Sequence, residues 1–300
     1  MHSGYAESQS EFGAPMELPR CGGWVLKRKI AASNSFDAMG CYPLFCCKDW
    51  AQLSLDLEDL NKNATANLVS LSLVADPFGV YDETYLRHCF KDVVIPFKEH
   101  FIVDLQRPLN GIVSAHHRYY ARKALNNLIP EECSQPIQFA DEWASLYANL
   151  IDRHSLDGIK AFSRNAFTVQ LAIPGTVVLR VIHQGITVGA HIWYVQGDVA
   201  YSHLAALSET GYTLMASYAL YLYALKYFAD KVRWLDLGAG AGSSNDGGDG
   251  LSQFKRGWSN GTRTAYFCGR IFNHKIYEEH VKAKSISSTD YFPAYRKGEF

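Results

Sequence analysis

The sequence has no Cys-x-x-Cys pair, no excess of charge of either sign, and no apolar run near the roughly 20 residues that span a bilayer. Each absence removes a class of protein. Its seven cysteines, at 21, 41, 46, 47, 89, 133 and 268, are odd in number, which argues against a disulfide framework and, with no paired spacing, against a zinc ribbon; reduced thiols are expected. Lys plus Arg number 29 against 30 for Asp plus Glu, so no global field draws the chain to nucleic acid or an anionic membrane. Any polyanionic ligand must be held by local groups. The opening MHSGYAESQSEFGAPMELPR has no apolar signal core, so the expected location is cytoplasmic, without membrane insertion.

What is present is a globular composition, 48% hydrophobic and 20% charged. Its 300 residues exceed one core of about 100–200, so two domains are expected. Residues 1–20, poor in apolar groups, read as a flexible lead-in. A first unit over 21–127 holds strand patterns at 24–30 and 68–74, with helical spacing at 50–60 between them. It closes with the strand FIVDL and the helix HHRYYARKALNN. Residues 126–136 read as a linker, and a second unit over 128–300 opens with a helix at 141–154. Three β-rich runs at 176–183, 186–195 and 199–207, joined by Gln184-Gly185 and Gln196-Gly197-Asp198, form an antiparallel meander. A helix at 213–229, a buried strand at 232–237, a glycine-rich loop from 238 to 250, a short basic segment, a strand at 263–271 and a helix at 275–283 follow.

Five segments carry chemistry. WLDLGAGAG at 234–242 has the form of an S-adenosylmethionine loop, but too few residues follow it for the further βα units that a doubly wound methyltransferase needs. The better reading is a strand end whose loop lets backbone pass close to a ligand. DGLSQFKRGW at 249–258 sets Lys255 and Arg256 beside Phe254, cations suited to phosphate oxygens, with a solvated, aromatic-anchored turn as the plain alternative. Ser208 to Thr213, with Thr210, Gly211 and Tyr212, opens a helix whose unpaired amides offer an anion site, or an ordinary capped entry. SAHHRYYARK places Arg118 and Arg122 on one helix face beside Tyr119, suited to an anionic acceptor or simply solvated. His183, His191 and His203 fall one on each meander strand, without a partner at ligand spacing, so no metal is expected.

In combination, YSHLAALSETGYTLMASYALYLYALKYF, WLDLGAG, DGLSQFKRGW and FIVDL…HHRYYARKA resemble the FemAB and BioF2-like acyltransferases over nearly the whole chain. That resemblance implies an α+β GNAT (acyl-CoA N-acyltransferase) fold, with two tandem GNAT-like units of mixed, mainly antiparallel sheets flanked by helices. It implies transfer of an acyl or aminoacyl group from acyl-CoA or charged tRNA to an amine, such as an amino sugar or cell-envelope precursor. Lys255 would then contact donor phosphate or stabilise charge on the reacting carbonyl, and Asp236 and Ser208 would lie where two central strands splay. The usual glycine signature for acyl-CoA is missing from 209–216, which leaves the donor open; net charge gives tRNA no support. The expected mechanism is direct attack by the amine, with Asp236 as first and His203 as second candidate base, and Tyr212 or Tyr266 supplying the leaving group's proton. A methyltransferase and a non-catalytic binding module are the readings from other classes.

Overall fold

The computed structural model describes residues 2–62, 67–241, 249–286 and 289–299. In chain order its elements are α1 Ser3–Glu7, β1 Ala14–Leu18, β2 Gly23–Lys29, β3 Phe36–Gly40, α2 Leu53–Lys62, β4 Leu68–Ala75, α3 Glu83–Cys89 and β5 Val93–Asp104. There follow α4 Leu109–Ile112, α5 Ala115–Leu125, β6 Ile129–Glu132, α6 Ala140–His154, α7 Arg164–Leu171, β7 Thr176–His183, β8 Ile186–Gln196 and β9 Val199–Leu207. The last are α8 Glu209–Thr213, α9 Ala216–Phe228, β10 Trp234–Asp236, α10 Gly250–Arg256, β11 Gly261–Ile271 and α11 His274–Ala283. They form two compact units, Met1–Phe97 with Ala265–Phe300, and Lys98–Thr264.

In the first unit β1, β2 and β3 are antiparallel neighbours, β3 runs parallel to β4, and β4 pairs antiparallel with β11. Leu53 and Leu57 of α2 and Leu86 of α3 close one core over Leu71 and Leu73. Asp37, fully buried, accepts hydrogen bonds from Arg28 at 3.1 Å and Arg296 at 2.8 Å, which offsets the desolvation of all three charges.

In the second unit β6 to β9 form an antiparallel meander; β9 runs parallel to β10, and β10 antiparallel to β5. The two meander turns work because Gln184, Gly185 and Gly197 hold positive φ, at 50°, 81° and 59°. Helix α9 buries Ala219, Leu220, Ala224, Leu225 and Phe228 in a core shared with Val103, Trp193, Ala200 and Leu235. Alanine at that spacing lets the helix lie close to the sheet. Helix α6 packs on β8 and β9.

Several expectations are corrected. The supposed flexible lead folds into α1 and β1, because buried Gln9 and Tyr5 both donate to the Tyr42 carbonyl, at 2.7 and 2.6 Å, and Gln9 accepts from the Tyr42 amide at 2.9 Å. Composition alone misses that hydrogen bonding. The supposed linker contains β6, which pairs with β7 and completes the meander edge. The helix expected over 213–229 is broken at Met215, whose φ of 59° is left-handed, into α8 and α9. The basic segment is helix α10. The compact units also do not follow the division at 127/128: β11 and α11 return to the first unit, with β11 pairing to β4.

Candidate active site

The centre of the second unit is the divergence of β9 and β10. These strands pair only at Val199, Ala200 and Tyr201, opposite Trp234, Leu235 and Asp236. Beyond Asp236 the chain follows β5 instead: Leu237 N–H donates to the Phe101 carbonyl at 2.8 Å, and Phe101 N–H to the Gly238 carbonyl at 3.1 Å. Strand β9 continues through Leu207, and among the described residues β10 pairs with it no further than Tyr201, while Ser202 to Ala205 stay partly exposed. A strand that outruns its neighbour inside a sheet is a place where an extended ligand can lie along the backbone.

Asp236 ends β10, at 2% exposure. Its carboxylate accepts from the Gly238 amide at 2.7 Å and from the Nδ1–H of His100, which lies 3.0 and 2.9 Å from its two oxygens. His100, 7% exposed, stands on β5, two residues before Ile102, the direct neighbour of Asp236. Leu235 and Leu237 beside Asp236, and Phe101 beside His100, belong to the apolar core, so strand alternation turns Asp236 and His100 to the other face.

Lys255 is buried on α10, and its ammonium donates to the Ala239 carbonyl at 2.6 Å. Burial pushes its pKa down to about 8 against the pull of Asp236 and Asp249. Asp249 caps α10: its carboxylate accepts from the Ser252 hydroxyl at 2.5 Å and the Ser252 amide at 3.0 Å, which holds its pKa down at about 2. The glycines of the loop explain themselves at this contact. A Cβ on Gly240 would stand 2.0 Å from the Ser252 hydroxyl, and Gly238, at φ 75°, would place one 3.1 Å from the Lys255 ammonium. The loop therefore crosses α10 at backbone distance. Gly242 lies outside the described residues. The methyltransferase reading fails on topology, since β10 has one parallel and one antiparallel neighbour and, among the described residues, no run of parallel βα units follows.

Behind Lys255 lies a buried polar group from three elements. His191 on β8 is wholly buried, with Nε2 2.7 Å from the Ser202 hydroxyl on β9 and its ring 5.1 Å from Tyr221 on α9. Burial, with Lys255 nearby, drives its pKa down to about 3. That keeps it neutral.

The other expected residues scatter around this centre. Ser208 caps the five-residue α8, accepting from the Gly211 amide at 3.1 Å and donating to the Val188 carbonyl at 3.2 Å. Gly211 is there because a Cβ would come within 2.1 Å of that same carbonyl. So short and capped a turn lacks the amide row of an anion site. Thr210 is exposed, and Tyr212 lies beneath the Arg153 guanidinium, 4.1 Å from its ring centre. His203 sits at a bulge in β9, 3.3 Å from the Gln170 amide oxygen and beside Phe162 and Tyr194; burial lowers its pKa to about 3. Phe254 is packed among Tyr218, Tyr221, His117 and Trp258, so it anchors α10 and leaves Lys255 to face the loop. Arg256 is exposed, over the Phe101 ring. On α5, Arg118 donates to the Val113 carbonyl, while Tyr119 and Arg122 are exposed. Tyr266 belongs to the first unit, 3.4 Å from Glu83. Among the described residues no group of three or more His, Cys, Asp or Glu could hold a metal ion; His183 instead donates to the Asn127 carbonyl at 2.9 Å.

Sequence reasoning missed His100 and His117. His117 links α5 to α10, with Nε2–H donating to the Phe254 carbonyl at 3.0 Å, and its ring fills the space a Cβ on Gly257 would need, 2.1 Å away. The HHRYY run signalled it as part of a basic face, though the ring is turned inward. His100 had no local signal.

No family model matches the chain, and no curated protein matches it. Solved structures do. The crystal structure of FemX is similar at 13% identity, over 92% of this chain and 93% of that one, with a TM-score of 0.68. The C-terminal domain of a protein described as a lysylphosphatidylglycerol synthetase, from Agrobacterium fabrum, is similar at 14% identity over 95% and 92%, with a TM-score of 0.64. L-PGS from Bacillus licheniformis follows at 15% identity over 88% and 90%, with a TM-score of 0.57. The chain thus has the α+β fold of FemX, with strands flanked by helices.

Proposed function

We propose that the chain transfers an acyl or aminoacyl group from an activated donor, a thioester of coenzyme A or a charged tRNA, to an amine. The observation that carries this reading is the buried Lys255 ammonium beside the divergence of β9 and β10, held by the Ala239 carbonyl at 2.6 Å. A cation kept out of water at a strand opening is costly, and such groups serve where negative charge develops. With a pKa of about 8 it is mostly charged at neutral pH and can meet donor phosphate or the oxyanion of the tetrahedral intermediate. An extended, amide-bearing arm lies along β9 beyond its pairing with β10, and the acceptor amine approaches from the Asp236 side. Arg118, Tyr119 and Arg122 on α5 and Arg256 on α10 remain candidates for holding the charged parts of acceptor and donor. Acyl-CoA as co-substrate, a small-molecule acceptor and a cytoplasmic location belong to the same proposal; no helix of the described residues is long and apolar enough to cross a membrane.

The first test is the shift in melting temperature with coenzyme A, acetyl-CoA, a long-chain acyl-CoA, charged tRNA and S-adenosylmethionine. Ligand at 100 times its Kd adds about 2.7 kcal/mol. A shift with a coenzyme A species or with charged tRNA, lost in Lys255→Ala, supports the reading and names the donor. No shift with any donor speaks against it and for a binding module.

A further inference from the structure

We infer that His100 takes the proton from the attacking amine and that Asp236 positions its imidazole; this rests on the transfer reading above and replaces Asp236 as the base. Asp236 is poorly arranged to meet an amine itself. Its Oδ1 accepts from the Gly238 amide and, with Oδ2, faces the Nδ1–H of His100, so both oxygens already face donors at 2% residue exposure. The same contact dictates the ring's tautomer. A carboxylate accepts, so Nδ1 carries hydrogen, and in the neutral imidazole the lone pair then lies on Nε2. Among the described residues Nε2 has no hydrogen-bond partner, in contrast to His117, whose two ring nitrogens are both engaged, and to His191, which spends its Nε2 on Ser202. An imidazole held through Nδ1 by a buried carboxylate, with Nε2 uncommitted, is the arrangement that general-base histidines use.

The position agrees. His100 lies on β5, which pairs with β10 and stays with the chain after β9 diverges, next to Phe101, whose amide and carbonyl hold Gly238 and Leu237. Lys255 is anchored to the next residue of the same loop, Ala239. One short loop thus ties together the base, its positioning carboxylate and the cation.

The step balances. The amine nitrogen forms a bond to the acyl carbon, and the bond from that carbon to the donor's sulfur or oxygen breaks as the tetrahedral intermediate collapses. The proton lost by nitrogen passes to His100 Nε2, and the imidazolium, held against the Asp236 carboxylate, returns it to the departing thiolate or alkoxide. No oxidant or further reactant is needed.

The test uses the full chain and the donor that binds, assayed by product formation with a panel of primary amines. His100→Gln, which can still donate to Asp236 but cannot accept the amine's proton, is expected to lower kcat by about 10²–10⁴-fold with donor KM unchanged. His100→Ala should recover part of the rate with added imidazole. Asp236→Asn should lower kcat and, in ¹⁵N-resolved NMR of the imidazoles, move hydrogen from Nδ1 to Nε2 of His100; this readout remains if a His100 variant fails to fold. His100→Gln with wild-type kcat, or His100 protonated on Nε2 in the wild-type chain, overturns the inference while the transfer reading stands. Wild-type protein that transfers nothing from any donor overturns both.

Discussion

Replacing Lys255 with methionine should raise stability at neutral pH while abolishing activity. Burial moves the ammonium's pKa from 10.5 to about 8. At about 1.4 kcal/mol for each tenfold change in proton affinity, holding the charge in the folded chain costs about 3 kcal/mol. Methionine has similar length and no charge. It removes that cost but leaves the Ala239 carbonyl without its 2.6 Å partner, a loss of about 1 kcal/mol for a partly exposed group. The net expected gain is about 2 kcal/mol, or roughly 2–4 °C in Tm per kcal/mol for a domain of this size.

The pH dependence has a definite sign. The unfolded chain keeps the Lys255 proton up to about pH 10.4, whereas the folded chain releases it near 8. Between those values the unfolded state binds more protons, so wild-type stability rises with pH relative to the variant. The methionine advantage should be complete at pH 7 and gone near pH 10.5. Urea unfolding of both proteins at pH 7 and pH 10 measures it. A variant less stable at pH 7, or an offset that does not change with pH, would refute the view that the lysine is held at a cost and make it a structural tie.

Asp37→Ala should cost up to about 3–5 kcal/mol, because it removes the buried carboxylate shared by Arg28 and Arg296 and shifts the pairing of their charges toward partly exposed Glu299; chemical denaturation reads the loss. Stability should also fall as pH drops below about 6.5, since His191 and His203 are held neutral down to about 3 in the fold but protonate when unfolded. His191→Gln should flatten that decline, seen as a smaller change in urea midpoint between pH 7 and 4.5.

Much of the second unit was legible because its signals are local. β-Branched runs with two turns needing positive φ gave β7, β8 and β9 almost to the residue, and a broad apolar face gave α9. Residues 1–20 were misread because burial of Gln9 depends on Tyr42, 33 residues away, which composition cannot see. The same limit hides the site. Lys255 and Asp236 stand out in their own segments, but His100 meets Asp236 across 136 residues, and an isolated histidine in FKEHFIVD carries no pattern of its own. Ser208 and Gly211 were noticed for the right residue types, yet their conformation answers to a cap and to the Val188 carbonyl.

The loop after β10 separates a cofactor cradle from a scaffold that places a cation, because its glycines are required for different reasons. In a cradle, each glycine leaves room for a ligand, so adding a methyl group harms binding wherever it falls. Here Gly240 makes room for α10, with a Cβ 2.0 Å from the Ser252 hydroxyl and 2.6 Å from the Asp249 carboxylate, whereas a Cβ on Gly250 meets nothing within 4 Å. Gly240→Ala should therefore push the loop away from the first turn of α10, break the Asp249 cap and draw the Ala239 carbonyl off Lys255. Overpacking of this kind costs about 1–3 kcal/mol. Gly250→Ala, at the first position of the helix, should be neutral or slightly stabilising, since alanine is the better helix former. Thermal unfolding and donor-induced shifts of the two variants decide the matter. Equal loss of donor binding with unchanged stability in both would mean that the loop cradles a ligand directly, and the account of Lys255 as the group it serves would have to be given up.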